Sequence, residues 1–180
     1  VYAQPFPHCE LFFDMDWQTL LSKISYGHDI EASWLFWEAA AAIGDEALKA
    51  RTKQVALDLA DAVLAHGLDA DGAVLYDGDA NGPLNTDKHW WPQAEAVVGF
   101  LNAWQIGGQQ AHLDAALRAW EFIDAKVIDH AKGEWFAILE RDGRVKPDYP
   151  VFADSQKIGP WKCPYHNSRA AMEVIKRVKS

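Results

Sequence analysis

The stretch SYGHDIEASWLFWEAA, Ser25–Ala40, decides the fold class. From Glu31 to Ala42 the chain is apolar nearly all round, as in a helix buried on most sides. The start of the helix is different. Gly27-His28-Asp29-Ile30-Glu31 brings an imidazole and a carboxylate into the first turn. Such groups avoid a core unless they are paired or at work. At about 100° per residue, His28, Glu31 and Trp34 fall on one slowly drifting stripe, so a single cavity would see all three. Two readings are open at this point. A helix N-terminus favours acids and tolerates a satisfied histidine beside them. Alternatively, this helix start faces a polar cavity.

Working outward, the helical period dominates. Val55, Leu59, Ala62 and Val63 follow the i, i+4, i+7, i+8 rule, and the run stops at His66-Gly67. Leu113, Leu117 and Trp120 repeat the pattern later. Gly44-Asp45 is expected to end one helix and cap the next. GLDADG, YDGDANGP and IGGQQ are turns by composition. Gly133–Val145 reads as a short hairpin turning near Asp142-Gly143. Lys146–His166 is irregular and long enough to be functional. A last helix is expected from about His166 or Asn167 to the end. The pattern is all-α: helix pairs joined by Gly/Asp-rich loops, with one short β-hairpin. There is no exact sequence repeat, but stacked helical hairpins form toroids and solenoids without one. No linker divides the chain, so residues 1–180 read as part of a single domain.

Composition narrows the function. The 180 residues are 49% hydrophobic and 24% charged, which is globular. The formal net charge of -9 argues against nucleic acid and against an anionic membrane. The basic tail Lys176, Arg177, Lys179 is a helix C-terminus favoured by the macrodipole. Two cysteines, Cys9 and Cys163, have no metal-type spacing and no disulfide framework, which fits free thiols in a cytoplasmic protein. No stretch is apolar enough to span a membrane. The opening VYAQPFPHCELFF lacks a basic start and an apolar secretory segment. It also lacks an initiator Met, which suits a processed chain or a fragment. Nine tryptophans exceed what a core of this size needs. Indole faces stack on sugar C–H faces, so a carbohydrate site is a natural candidate, although aromatic pockets take other ligands too.

Two further stretches repeat the polar-aromatic helix start. In TDKHWWPQAEAVVGFLNAW, Thr86 or Asp87 can cap, Pro92 suits a first turn, and Trp91 and Glu95 share a face. Glu95 is either a surface acid or, given the Ala96-Val97-Val98-Gly99 that follows, a shielded one. In GPWKCPYHNSRAAMEVIKRV, His166 and Arg169 point the same way, with Trp161 just ahead. They are either a structural cap or a site, because Arg offers a fixed fork of donors to sugar hydroxyls or an acid. His28 and Glu31 lack the second HxxE or the HExxH of a metal site, and no GxSxG elbow or phosphate loop is present. Paired acids such as Glu31 and Glu95 would suit a glycosidase. Two well-placed histidines favour proton transfer near neutral pH.

Together, SYGHDIEASWL, DKHWWPQAEAVVGF and WKCPYHNSRAAMEV resemble signature segments of the cellobiose 2-epimerases, within the N-acylglucosamine 2-epimerase superfamily. The similarity runs from ELFFDMDW to the last helix, in the family's order. Mannose epimerases and aldose–ketose isomerases are close cousins. The resemblance implies an (α/α)6 barrel of six helical hairpins, with the site at its centre. It implies reversible epimerisation at C2 of a reducing-end glucose, without metal or organic cofactor. By motif, His28 and His166 would be the acid/base pair. Glu31 and Glu95 would hold and polarise the sugar and tune the histidines. Trp34, Trp91 and Trp161 would be aromatic walls, and Arg169 would position His166 or the sugar oxygens. Family members are much longer, and the match falls on their C-terminal part. The resemblance therefore implies half a barrel that needs its N-terminal half, with a small sugar as the other partner. A non-catalytic carbohydrate-binding fragment is the alternative.

Overall fold

The computed structural model describes residues 2–3, 7–146 and 157–179. Five α-helices carry the fold: α1 Tyr26–Ile43, α2 Glu46–Ala62, α3 Trp90–Gly107, α4 Gln110–Phe122 and α5 Tyr165–Lys179. α1 and α2 form one antiparallel hairpin, and α3 and α4 a second. α3 packs against α1, α4 and α5, so α1, α3 and α5 make one layer and α2 and α4 the other. α2 and α4 each run into a π-helical turn, at Val63–Gly67 and Ile123–Val127.

The expected punctuation holds. Gly44 ends α1 in the left-handed region (φ 77°), its N–H bonded to the Ala40 carbonyl. Asp45 then accepts from the backbone N–H groups of Ala47 and Leu48, both at 2.9 Å, and opens α2. α5 begins at Tyr165, one residue ahead of the expected start. Neither Thr86 nor Asp87 caps α3. The cap position is His89, and the Asp87 carboxylate is spent on Lys146 at 2.7 Å.

Burial differs from expectation on two helices. The helix buried throughout is α3, from Trp90 to Ala103. α1 is one-sided, with Phe36 43% and Ile43 67% exposed, because no described element covers that flank. On α4 the core face is His112, Ala115, Ala116, Ala119 and Phe122. The expected stripe of Leu113, Leu117 and Trp120 instead lines an open apolar groove of about 640 Å³ beside α3 and α5.

The strands are short. β1 (Tyr2–Ala3) pairs with β2 (His8–Cys9), β3 (Asp77–Asp79) with β4 (Gly82–Asn85), and β5 (Lys88–His89) with β6 (Ile138–Leu139), all antiparallel. The clearest hairpin, β3–β4, therefore lies in the stretch read as a plain turn. The turn near Asp142-Gly143 does form, with the Glu140 N–H bonded to the Arg144 carbonyl. Its strand, however, pairs mainly with β5 ahead of α3. Of the irregular segment, residues 147–156 lie outside the described residues; 157–164 contain only bends and a turn.

A structural repeat emerges where no sequence repeat is visible. Early on α1, the Asp29 carboxylate accepts from the backbone N–H of Cys9 at 2.7 Å. Early on α3, Gln93 accepts from Val74 N–H at 2.7 Å and donates back to the Val74 carbonyl at 2.8 Å. Early on α5, Asn167 donates to Glu134 at 3.1 Å. Each side chain ties its helix to the loop that precedes it. Aligned on these anchors, His28, Pro92 and His166 are equivalent, and so are Glu31, Glu95 and Arg169. Equivalent positions on neighbouring helices of one layer face the same side, and this is what brings the site together.

Candidate active site

Glu95 is the hub. It is 1% exposed, at the first turns of the fully buried helix α3. Its Oε1 meets His166 Nδ1 at 2.7 Å and accepts from Arg169 Nη2 at 2.6 Å. Its Oε2 accepts from Trp34 Nε1 at 3.0 Å. Arg169 Nη2 also donates to Glu31 Oε1, so one guanidinium links the carboxylates of two helices. A buried carboxylate is stable when charge and hydrogen bonds compensate it, and both oxygens of Glu95 are so engaged.

The two histidines flank one indole. The Trp91 ring centroid lies 4.7 Å from that of His28 and 5.5 Å from that of His166. Trp91 is held from behind. A Cβ added at Gly27 would stand 2.5 Å from Trp91 Cη2, so only glycine permits this approach of α1 to α3. Tyr165 stands edge-on to His166 at 4.9 Å, and its ring faces the Arg169 guanidinium at 4.5 Å. His28 Nδ1 meets Ser25 Oγ at 2.7 Å. Burial pushes the His28 pKa below the ordinary histidine value, with His166 also lowering it and the Glu31 and Glu95 charges opposing.

His28, Glu31, Trp34, Trp91, Glu95, His166 and Arg169 come together, while two tryptophans are placed otherwise than as walls of a cavity. Trp34 is 3% exposed, its face covered by the Arg169 guanidinium at 5.0 Å and its N–H given to Glu95. It supports the acid and presents no open wall to a sugar. Trp161, 67% exposed ahead of α5, shows its indole to solvent. Ser25 and Tyr165 went unnoticed in the sequence. A serine ahead of a helix and one more aromatic carry no signal of their own. Only the histidine three residues after Ser25 hints at a further role.

Glu31, Glu95 and His166 offer three ligand atoms within 4.8 Å of one another. The Arg169 guanidinium bonds one oxygen of each carboxylate, so it already supplies positive charge there.

Behind His28 sits a second buried acid. Asp29 is 1% exposed, and burial raises its pKa to about 7, against the lowering effects of the Cys9 N–H and His8. A raised carboxylate costs stability when it ionises. That cost is absent below about pH 4, grows as the unfolded chain ionises, and is complete above about pH 7. Asp29→Asn, which gives α1 an amide as on α3 and α5, is expected to flatten this dependence. Thermal melts from pH 4 to pH 8 should show wild type losing several degrees relative to the variant. Parallel curves would contradict the assignment.

Known proteins agree with this architecture. The family model described as N-acylglucosamine 2-epimerase (GlcNAc 2-epimerase) matches residues 8–166. The chain belongs to this family of sugar epimerases, and its helical layers are an arc of the (α/α)6 barrel. Within it, the chain is 43% identical over 169 residues to a cellobiose 2-epimerase of Bacteroides fragilis, covering 93% of this chain and 41% of that protein. It is 39% identical to a cellobiose 2-epimerase of Ruminococcus albus, covering 98% and 44%. The solved cellobiose 2-epimerase of Bacillus thermoamylovorans superposes with a TM-score of 0.88 at 34% identity, over 98% of this chain and 43% of that one. The chain thus spans less than half the length of these relatives.

Proposed function

We propose that this chain carries the acid/base pair of an epimerase that inverts C2 of the reducing-end glucose in cellobiose-type disaccharides. One observation carries the reading. His28 and His166, from two helices of one layer, flank the same indole and each hold a partner through Nδ1. Nε2 of each ring is then the nitrogen that meets substrate. The C2 hydrogen is acidic only when C1 is an aldehyde, so the sugar ring opens first. One histidine removes the C2 proton to give an enediolate, and the other returns a proton to the opposite face. Arg169 bonds both Glu31 and Glu95, and the reaction takes one histidine of the pair as acid and the other as base. Tyr165 and Trp161, on the approach to α5, are the exposed aromatics available to a second sugar ring.

The rest of the ring completes the site. Two apolar edges stand open: Phe36, Ile43 and Leu48 beside α1 and α2, and Leu117, Trp120, Met172, Ile175 and Val178 beside α4 and α5. Edges of this kind are association surfaces. The chain corresponds to the C-terminal part of the barrel, and the two free cysteines fit a cytoplasmic protein. Among the described residues no helix is long and apolar enough to cross a membrane.

The chain alone is expected to associate in sedimentation and to turn over poorly. Joined to the missing part of the barrel, it should convert cellobiose to its glucosyl-mannose epimer and act poorly on N-acetylglucosamine. A ketose product would make it an aldose–ketose isomerase. Preference for N-acetylglucosamine would move it to the acylglucosamine branch. Full turnover by a monomeric 180-residue chain would overturn the half-barrel reading.

A further inference from the structure

We infer that Ser25 is a positioning residue for His28: its hydroxyl accepts the Nδ1–H, fixes the tautomer and turns Nε2 toward the substrate. The inference rests on the epimerase reading for its kinetic consequence and on geometry alone for the contact. Ser25 occupies the N-cap of α1, where a serine ordinarily accepts from an N–H of the first turn. Here its side chain makes no such bond. The hydroxyl is 2.7 Å from His28 Nδ1 instead, on a residue only 8% exposed. The local helix start forgoes a cap, and the imidazole receives the oxygen.

Comparison with His166 shows what the contact does. His166 Nδ1 lies 2.7 Å from the Glu95 carboxylate, which only accepts, so Nδ1 carries the hydrogen there. A general base needs a bare Nε2, and its conjugate acid has hydrogen on both nitrogens. Both working states therefore have a hydrogen on Nδ1, and both need an acceptor at that nitrogen. Glu95 of α3 supplies it to His166 on α5, and Ser25 supplies it to His28, the equivalent histidine on α1. The acceptors differ in strength. A hydroxyl stabilises an imidazolium less than a carboxylate does.

Ser25 is itself fixed. The preceding residue, Ile24, exchanges two backbone hydrogen bonds with Gly78 of β3, at 2.8 and 2.9 Å. The Ser25 carbonyl accepts the Asp29 N–H at 3.0 Å. The β3–β4 hairpin therefore sets the backbone from which the hydroxyl reaches the ring.

The test uses the complete barrel with 15N-labelled histidine, the His28 signals being assigned by their loss in His28→Gln. The wild type should show His28 as the Nδ1–H tautomer. Ser25→Ala should shift it toward Nε2–H, lower kcat on cellobiose about tenfold to a hundredfold with little change in KM, and move the kcat–pH profile. Ser25→Thr, which keeps the hydroxyl and suits an N-cap, should restore the tautomer and most of kcat. An Nε2–H tautomer in wild type would overturn the inference. So would a Ser25→Ala protein, folded by circular dichroism, with unchanged tautomer and pH profile. If wild type does not epimerise, the functional reading fails, while the tautomer measurement still decides the role of Ser25.

Discussion

In the complete barrel, His28→Ala and His166→Ala are each expected to lower epimerisation by about two to four powers of ten, the scale of a lost general acid or base. His28 is exposed and His166 half-buried, and both rings pack on Trp91, so an alanine removes the proton carrier and leaves the α1–α3–α5 packing in place. Melting temperature should therefore move far less than turnover. The double variant should be little worse than either single one, since both groups serve one chemical sequence. Steady-state kinetics of the three variants decide this. Near-normal turnover in either single variant would remove that histidine from the mechanism.

Glu95→Gln is expected to damage fold and activity together. Three donors converge on this carboxylate: the His166 ring, the Arg169 guanidinium and the Trp34 indole. The glutamine amide brings two hydrogens of its own into that group and removes the charge that balances Arg169. Breaking a buried pair by removing one partner costs about 3–5 kcal/mol. Denaturant unfolding should show a loss of that order, and turnover should fall at least as far as in His166→Ala, because His166 loses its anchor. A Glu95→Gln protein of wild-type stability would contradict the hub role. Glu31→Gln should cost less stability, since the Glu31 side chain is 16% exposed and shares Arg169 with Glu95.

Much of this was legible in the chain. Gly44-Asp45 and the start of α5 follow from cap chemistry and helical period, both local and strong. The three polar helix starts were visible because charged groups beside long apolar runs need a reason. What was hidden depends on tertiary partners. Asp87 looks like a cap for α3, but Lys146 claims it. Trp34 looks like a wall of the cavity, but Arg169, distant in sequence, lies across its face. The stripe of Leu113, Leu117 and Trp120 looks like core, but it faces a groove that no described element fills. The strands are two to four residues long, too short for an alternating pattern to announce. The repeat that aligns His28 with His166 has no sequence signal, because its three anchors are a carboxylate and two different amides bonded to three unlike partners.

In the proposed reaction C2 loses its proton to one histidine and regains one from the other. The direct measurement is epimerisation of cellobiose by the complete barrel in D2O, with the product read by NMR at C2 of the reducing-end ring. Proton transfer through two side chains that exchange with solvent predicts deuterium at C2 of the epimer. It also predicts that His28→Ala and His166→Ala suppress that incorporation together with product. An epimer that keeps its original C2 hydrogen would contradict the two-histidine account.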